Sequence, residues 1–452
     1  MNFKLRKLSN NIDMTKGNAL KGIILFTLPL LLGNLFQQLY NIADSSIVGK
    51  FVGDEAMAAV SSSGSLINLL IGLVQGISVG AGIVVAQYFG AKDNEKLSNT
   101  IHTTVLFSLI LGLVLSVVGY IVAPTLLVLM KTDEEILPNS IDYFHTYFIG
   151  VIFTVMYNAF ASILRAVGDS KRPLYYLIIS SLVNVLLDLL FVGAFKWGVI
   201  GASVATIISQ AVSAICAFIQ LLCTKENYKL EIAKIRFHKD ELIKIIKYGI
   251  PTGLQNSIVS FANTFVLSNV NAFGKVATSS YGAYSKIEGF ATLASGSFSM
   301  SLSTYVGQNM GASDYKRART GAYQGLLVDI LFTEVLGLLL IIFARGLASC
   351  FTNTEEVIEG TVNQIRTVAP FYLLLAYSHG ISGILRGRGY SKTPMLTLII
   401  CWVCVRIIGI PLALNYINNN ITTIFWFYPL TWTLSTIVLT IFSLCTKWNK
   451  KI

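Results

Sequence analysis

Long apolar stretches alternate with short polar connections along almost the whole chain. A helix of about 20 apolar residues spans a bilayer, and the pattern predicts twelve such helices. They are centred near residues 33, 70, 110, 152, 183, 210, 257, 290, 331, 372, 403 and 435. A membrane β-barrel would need alternating stretches of about 10 residues instead. The pattern therefore predicts an all-α polytopic membrane protein.

One half of the chain is a diverged copy of the other. The peptide Ile163–Pro173 returns as Ile384–Pro394 after 221 residues. At the same offset, Gln87–Asp93 is matched by Gln308–Asp314. Six predicted spans separate each peptide from its copy, so both halves enter the membrane in the same direction. A pseudo-two-fold axis along the membrane normal would relate them.

The duplication predicts how the chain is divided. We expect an N-terminal six-helix lobe at residues 1–223 and a C-terminal six-helix lobe at residues 244–452. Residues 224–243 are charged and have little apolar content, so they form the expected linker. Transporters with this plan place the substrate cavity between the two bundles, near the middle of the membrane.

The distribution of charged residues predicts how the chain is oriented in the membrane. Charged residues make up only 13% of the chain, against about 25% in soluble proteins. Lys and Arg number 34, Asp and Glu 23, and the basic residues concentrate in every second connection. By the positive-inside rule, both termini and the central linker are expected to be cytoplasmic. The positive charge thus reports topology and does not indicate a nucleic-acid partner.

Cysteine spacing and the N terminus add little chemistry. Cys401 and Cys404 lie inside a predicted span, without a second pair or a nearby His, so packing is expected there and not a metal site. No cleavable signal pattern precedes the first span, because a polar head of some twenty residues comes before it. We expect that span to be retained as an uncleaved anchor.

Polar side chains inside the spans are the candidates for function, because a charge in hydrocarbon costs at least a few kcal/mol. In the first span, four polar residues share one helical face: Asn34, Gln37, Asn41 and Asp44. Asn184 and Asp188 lie one turn apart in the fifth span. Counted from the cytoplasmic ends, the two acids lie at similar heights, about 22 and 24 Å up.

Two acids in one apolar pocket would share a proton, since burial and like charge both disfavour ionisation. The pair is therefore a candidate proton or cation site, although each acid could instead cap a helix end in contact with water. The second half keeps amides at Asn256 and Asn263 but has Val266 and Gly409 where the acids would be. A coupling ion is accordingly expected in the N-terminal lobe.

Other buried polar and aromatic residues allow either a structural or a functional interpretation. The charged and titratable ones are Lys286, Glu288, Asp329, Glu334, His379 and Arg406. Aromatic side chains could stack on a flat organic cation or form interfacial belts: Tyr40, Tyr157, Tyr281, Tyr284 and Phe290. Arg165 and Arg386 open the duplicated turns, where Gly and then Pro follow, and we assign them to topology and to stability of the gate.

With these residues placed, the chain resembles the multidrug and toxic compound extrusion (MATE) family. The resemblance spans about residues 15–445 and rests on Pro29–Phe51, the Gln87 and Gln308 segments and the paired Leu-Arg turns. It implies twelve helices in two lobes and export of amphipathic organic cations in exchange for protons or sodium ions.

The resemblance also implies a site. The DinF-like prokaryotic branch has an acid in helix 1 and an Asn and an Asp in helix 5, which Asp44, Asn184 and Asp188 match. Thr206 in helix 6 matches a polar neighbour of that cluster. The other branch uses a Glu within the seventh span, where this chain has Asn256, Ser260 and Asn263 and so departs from that pattern. A substrate cavity is expected at Asn34, Gln37, Tyr40, Asn41, Asn256, Asn263, Tyr284 and His379.

Two other functions compete with the antiporter. A lipid-linked oligosaccharide flippase of the same superfamily would usually have further helices and a strongly basic cavity. A membrane enzyme or receptor would need catalytic motifs that the sequence does not carry. We expect a monomeric transporter in the bacterial inner membrane, in contact with lipids and small-molecule substrates. No cofactor is expected beyond the coupling ion, H⁺ or Na⁺.

Overall fold

The computed structural model describes residues 12–129, 133 and 135–448. The terminal residues 1–11 and 449–452, which carry five of the basic residues used to orient the chain, lie outside the described residues. Fifteen α-helices and no strand occur in the described part. They are α1 (Ala19–Phe51), α2 (Asp54–Ala91), α3 (Asn94–Leu129), α4 (Leu137–Ala166), α5 (Lys171–Asp188), α6 (Gly198–Cys223), α7 (Lys239–Asn271), α8 (Lys275–Gly311), α9 (Tyr315–Ile342), α10 (Ala344–Ser349), α11 (Glu355–Val368), α12 (Tyr372–Gly387), α13 (Lys392–Leu398), α14 (Val405–Tyr416) and α15 (Ile421–Cys445).

These helices form twelve rods, and each contains one centre predicted from the sequence. A 3₁₀ turn joins α11 to α12, a π-helical turn joins α13 to α14, and α10 is a short connector. In the described part of the chain, ten rods are long and apolar enough to cross a membrane. The other two, α7 and α8, are as long but carry more polar residues. The all-α polytopic fold is confirmed.

The chain divides into two compact units. Unit 1 comprises Met1–Asp13 and Leu28–Ile250, and unit 2 comprises Met14–Thr27 and Pro251–Ile452. The compact units do not coincide with the two lobes and the linker at residues 224–243 that the duplication predicts. That division of the chain therefore stays a prediction. The start of α1 belongs to unit 2, and the start of α7 belongs to unit 1.

A proline stands at each of these divisions. Pro29 and Pro251 lie inside α1 and α7 and leave the helix one backbone hydrogen bond short. The start of α7 packs on α2 in unit 1 through two glycines, since a Cβ on Gly80 would lie 2.3 Å from Cα of Gly249. Small residues of this kind allow the backbones of membrane helices to approach closely.

The start of α1 is held in unit 2 by polar contacts. Met14 is buried, its N–H donates to Gln308 (3.1 Å), and its carbonyl accepts from Nδ2 of Asn309 (3.0 Å). The Arg317 guanidinium donates to the carbonyl oxygens of Met14, Lys16 and Gly17 at 2.7 to 3.3 Å. One arginine therefore fixes the backbone that leads into α1.

One helix lies at the centre of each unit. In unit 1, α4 packs against α2, α3 and α6, and in unit 2, α12 packs against α8, α9 and α15. The duplicated peptide forms the same turn after each of them. Gly168 and Gly389 adopt left-handed φ angles of 92° and 85°, which favour glycine. Their N–H groups donate to the carbonyl oxygens of Arg165 (3.0 Å) and Arg386 (2.8 Å).

Candidate functional site

Two acids of unit 1 come together at one depth. Asp44 lies seven residues before the end of α1, and Asp188 lies six residues before the end of the π-helical turn that follows α5. Both distances correspond to about 10 Å along a helix axis. Asp44 is 8% exposed and Asp188 is fully buried. Their carboxyl groups are neighbours and influence each other directly.

No cation compensates this pair among the described residues. Neither oxygen of Asp188 has a hydrogen-bond donor there, and Oδ1 of Asp44 has none either. The other ionisable neighbours are the hydroxyl groups of Tyr40 and Tyr143. Two adjacent buried carboxylates repel each other and lose hydration. The arrangement therefore favours a bound proton or a small cation between them.

Two further polar side chains have oxygen atoms available at the same level. Asn184 is fully buried one turn before Asp188, and its amide atoms have no hydrogen-bond partner among the described residues. Thr206 lies on α6, which packs against α5, and its hydroxyl donates to the carbonyl of Ala202 (3.0 Å). That leaves the hydroxyl oxygen of Thr206 able to accept or to coordinate.

The helix is irregular directly after the second acid. Residues Leu189–Ala194 form a π-helical turn, closed by the bond from the N–H of Phe195 to the carbonyl of Leu190 (2.8 Å). Such turns widen the helix and occur frequently at functional sites. Unit 2 has a similar turn at Ile399–Cys404, which ends two residues before Arg406. Each unit thus places a buried charge beside a π-helical turn.

Arg406 is a buried charge of unit 2, and it is compensated. It is 2% exposed, and it donates to the hydroxyl of Thr431 (3.1 and 3.3 Å) and to Oδ1 of Asn263 (3.3 Å). Its guanidinium lies 4.3 Å from the ring centre of Tyr428 and 5.6 Å from that of Trp402. Cation–π contacts of this kind stabilise a desolvated guanidinium.

An acid and two tyrosines complete the surroundings of Arg406. The half-buried Glu288 carboxylate lies near enough to interact electrostatically with the guanidinium, without a direct ion pair between the two. Tyr284 is fully buried beside it, and the Tyr281 hydroxyl lies 2.8 Å from that of Tyr428. Opposite charges, ring faces and hydroxyl groups therefore meet in one cluster. Among the described residues, no group of three His, Cys, Asp or Glu side chains could hold a metal ion.

The family follows from comparison with known proteins. The MatE family model matches the chain twice, at residues 29–190 and 251–414. The chain belongs to the MatE family. The two MatE matches begin at Pro29 and Pro251, so they repeat the internal duplication, and the resemblance to this family is confirmed.

Named MatE relatives are similar along most of the chain. The probable multidrug resistance proteins YoeA and YpnP of Bacillus subtilis are 30% and 28% identical over 86% of this chain. The matches cover 86% of YoeA and 88% of YpnP. A FAD transporter of Shewanella oneidensis is 24% identical over 86% of each chain. These relatives support multidrug transport in general, by a multi-pass membrane protein with small-molecule substrates.

Solved MatE-type structures share the fold. A MOP superfamily transporter from Pyrococcus furiosus matches 97% of this chain and 98% of its own, with a TM-score of 0.90 and 22% identity. An outward-facing multidrug resistance MATE family transporter matches 98% of this chain and 100% of its own, with a TM-score of 0.90 and 21% identity. At this identity the likeness establishes the twelve-helix fold alone.

The residues predicted from the first span separate into two groups. Tyr40 places its hydroxyl beside Asp44 and Asp188. Asn34 and Gln37 are half-buried, and Asn41 is exposed, with its amide donating to Gln38 (3.4 Å). The acid pair and Tyr40 thus form one cluster, whereas the three amides lie along the more open face of α1.

The residues predicted from the second half all lie in unit 2. Asn263 and Tyr284 belong to the Arg406 cluster. Asn256 is half-buried two turns earlier on α7. The ring of His379 is half-buried and stands edge-on to Trp402, with 5.6 Å between ring centres. Two of these four residues therefore belong to the Arg406 cluster, and the ring of His379 contacts Trp402 at its edge.

Sequence reasoning missed three residues beside the MatE acid pair. Tyr143 and Tyr147 project from one face of α4, and Gln210 approaches the Tyr40 hydroxyl from α6. One signal was present, because Tyr143 lies six residues from the start of α4, about 9 Å along the axis. A comparison of the axial positions of all polar residues in the spans, and not of the acids alone, identifies Tyr143.

Proposed function

We propose that the protein exports small amphipathic organic cations and takes up a monovalent cation, H⁺ or Na⁺, in exchange. The observation that supports this most is the pair Asp44 and Asp188, two neighbouring buried carboxyl groups without a compensating base among the described residues. Such a pair is stable only when a proton or a cation occupies it. Binding or release of this ion therefore changes the free energy of the conformation in which the two acids are buried.

Coupling follows from differential affinity. The ion binds more tightly to a conformation that encloses the acids than to one that opens them to water, so ion binding shifts the population of states. Asn184, Thr206 and the Tyr40 hydroxyl would supply the remaining polar contacts of the ion. Pro29 gives α1 a point of bending below Asp44. Movement of α1 would then alter the face that carries Asn34, Gln37 and Asn41.

The setting is part of the same proposal. The transporter acts as a monomer in the bacterial inner membrane, surrounded by lipid, with both termini and the linker in the cytoplasm. The basic residues in alternate connections support this orientation. No cofactor takes part beyond the coupling ion.

Exchange in proteoliposomes tests the assignment. A fluorescent organic cation is loaded, and proton and sodium gradients are imposed separately. Asp44→Asn and Asp188→Asn should each lower gradient-driven exchange at least about tenfold, which corresponds to 1.4 kcal/mol of lost coupling. Asp142→Asn is the matched control, because Asp142 is an exposed acid beside Tyr143.

Exchange at the wild-type rate in both Asp44→Asn and Asp188→Asn would contradict the ion site. A second arm uses FAD as cargo, since one relative is a FAD transporter. Transport of FAD but of no organic cation would contradict the substrate class while leaving the ion site intact.

A further inference from the structure

A third acid lies in the middle of a membrane helix of unit 2. Asp329 is fully buried, 14 residues from the start of α9 and 13 from its end. It is therefore about 20 Å from either end along the helix axis, and α9 is one of the ten rods long and apolar enough to cross a membrane. Neither the acid pair of unit 1 nor the Arg406 cluster includes it.

Among the described residues, only hydroxyl groups are hydrogen-bonded to its carboxyl group or to one another beside it. The Thr333 hydroxyl, one turn along α9, lies 3.2 Å from Oδ1 of Asp329 and 3.2 Å from the hydroxyl of Ser295 on α8. Oδ2 has no hydrogen-bond partner among the described residues. A Cβ on Gly380 of α12 would lie 3.0 Å from this oxygen, so the backbone of α12 covers it.

No base neutralises the carboxyl group within the part of the chain that the structure describes. Titratable side chains stand on α9 and on the helices that pack against it, but none forms a hydrogen bond or an ion pair with Asp329. The nearest in sequence or packing are Glu334 on α9, Glu288 on α8, and Tyr372, His379 and Arg386 on α12. Glu334 accepts from the backbone of Leu373, and Arg386 donates to Ser299.

Such a carboxyl group carries a proton. An isolated ionised carboxylate in an apolar interior is so unfavourable that the group neutralises instead. A metal cation does not fit as the neutralising species, because hard cations take about six oxygen ligands and the site offers a carboxyl and two hydroxyls. The remaining surroundings are close-packed and apolar, with Leu326 Cδ1 only 2.5 Å from a Cβ on Gly380.

The duplicated frame does not require an acid at this position. At the offset of 221 residues, Asp329 corresponds to Ser108, which is buried on α3 of unit 1. The acids of unit 1, in turn, correspond to Val266 and Gly409 in unit 2. Each unit therefore has a buried acid where its copy has a neutral residue, and each copy folds without one.

We propose that Asp329 is a second proton-binding site, which takes up and releases its proton during the transport cycle. This inference rests on the proposed function only in requiring a cycle between two conformations. When α12 moves away from α9, water reaches Oδ2, the carboxyl O–H bond breaks, and a water molecule takes the proton as hydronium. Closure requires the reverse step, in which hydronium returns the proton and the carboxylate becomes neutral again.

Polar atoms lead from this site along α8. Ser295, Ser299 and Ser303 follow at intervals of four residues, so they share one face of the helix. The Ser299 hydroxyl donates to the carbonyl of His379 and accepts from Arg386. This row gives entering water a polar surface between Asp329 and the duplicated turn at Arg386.

Proton linkage tests the proposal without relying on transport. The affinity for a fluorescent organic cation is measured against pH in detergent, where the slope of log Kd reports protons exchanged on binding. Asp329→Asn should lower that slope by about one proton and should also slow exchange in proteoliposomes. Glu334→Gln is the matched control on the same helix. A wild-type slope together with wild-type exchange in Asp329→Asn would overturn the proposal and leave Asp329 a structural acid.

Infrared difference spectroscopy keeps the proposal testable if Asp329→Asn does not fold. Wild-type protein should show a protonated-carboxyl band that changes on substrate binding, and Thr333→Val should shift this band by removing its hydrogen bond. A protonated-carboxyl band that changes neither on substrate binding nor in Thr333→Val would overturn the proposal. The same measurement separates the two sites. If Asp329→Asn alters the slope of log Kd against pH and neither Asp44→Asn nor Asp188→Asn does, the unit 1 site alone is refuted.

Discussion

Beside their π-helical turns, the two units hold buried charge in opposite ways. Unit 1 brings Asp44 and Asp188 together among tyrosine hydroxyls without a base in the described part, whereas unit 2 surrounds Arg406 with Glu288, amide and hydroxyl groups, and ring faces. The same helical frame therefore holds one acid pair without a counter-charge among the described residues and one arginine surrounded by compensating groups.

This difference predicts opposite responses when a charge is removed. Neutralising an acid of unit 1 relieves repulsion, so stability should be kept or raised. Removing Arg406 leaves Asn263 and Thr431 without their hydrogen-bond donor and Glu288 without a nearby opposite charge. Leaving buried polar groups unsatisfied is destabilising.

The largest effect is expected for Arg406→Met, which should lower the free energy of unfolding by about 3 kcal/mol through lost charged hydrogen bonds and cation–π contacts. Thermal unfolding in detergent, followed by Trp fluorescence, measures it, and Asp188→Asn is the counterpart that should not lower the midpoint. The double variant Arg406→Met with Glu288→Gln should recover part of the loss. Equal midpoints for wild type and Arg406→Met would show that the cluster does not hold unit 2 together.

A smaller effect is expected at the position that corresponds to Asp188. A Cβ on Gly409 would lie 2.5 Å from the ring of Phe427, so Gly409→Ala should cost about 1–3 kcal/mol of stability. Gly296→Ala on α8 is the control, because no atom lies within 4 Å of its added Cβ. If both alanine variants unfold at the wild-type midpoint, packing against Phe427 is not what keeps an acid out of position 409.

The smallest effect concerns the duplicated turns. Asp169 in unit 1 is replaced by Tyr390 in unit 2. Burial raises the pKa of Asp169 above its ordinary value, although it caps the backbone N–H of Arg172 (3.1 Å) and pairs with its guanidinium (2.9 Å). Since the folded-state pKa is the higher one, the stability contributed by Asp169 is full below the ordinary Asp pKa. It is lost as pH rises through the raised value.

Asp169→Asn keeps the cap and removes this titration. Unfolding midpoints measured across acidic pH should therefore rise for the variant relative to wild type as pH increases. Tyr390→Phe in unit 2 should show no such trend. If instead the wild-type midpoint rises relative to that of Asp169→Asn as pH increases, the ion pair with Arg172 lowers the pKa of Asp169 by more than burial raises it.

Much of the fold was predictable, because twelve apolar stretches and one repeat offset leave few arrangements. The depth argument placed Asp44 and Asp188 at one level, since helical rise is fixed. The partners across helices were not predictable in the same way. Tyr143 and the stacking of Tyr428 on Arg406 depend on how helices rotate about their axes, and hydropathy does not encode that rotation.

The division of α1 and α7 between the units was also beyond the sequence pattern. Pro29 and Pro251 indicated a bend in each helix, but a bend does not specify which unit receives the preceding segment. The contacts that decide it, such as Arg317 with the backbone of Met14, join residues 303 apart in the chain. The π-helical turns beside Asp188 and Arg406 likewise have no local sequence signal, because each lies in an ordinary apolar run.

The hydrogen bonds that hold the segment leading into α1 against α8 and α9 have a consequence for the synthesis of the protein. Ile23 and Met14 find Ser301 and Arg317 only 278 and 303 residues later in synthesis. At about 5–20 residues per second, their partners emerge roughly 15–60 s after them. The start of α1 therefore lacks these contacts until α8 and α9 have been inserted. A nascent chain that stops before α8 would leave that segment without any of them.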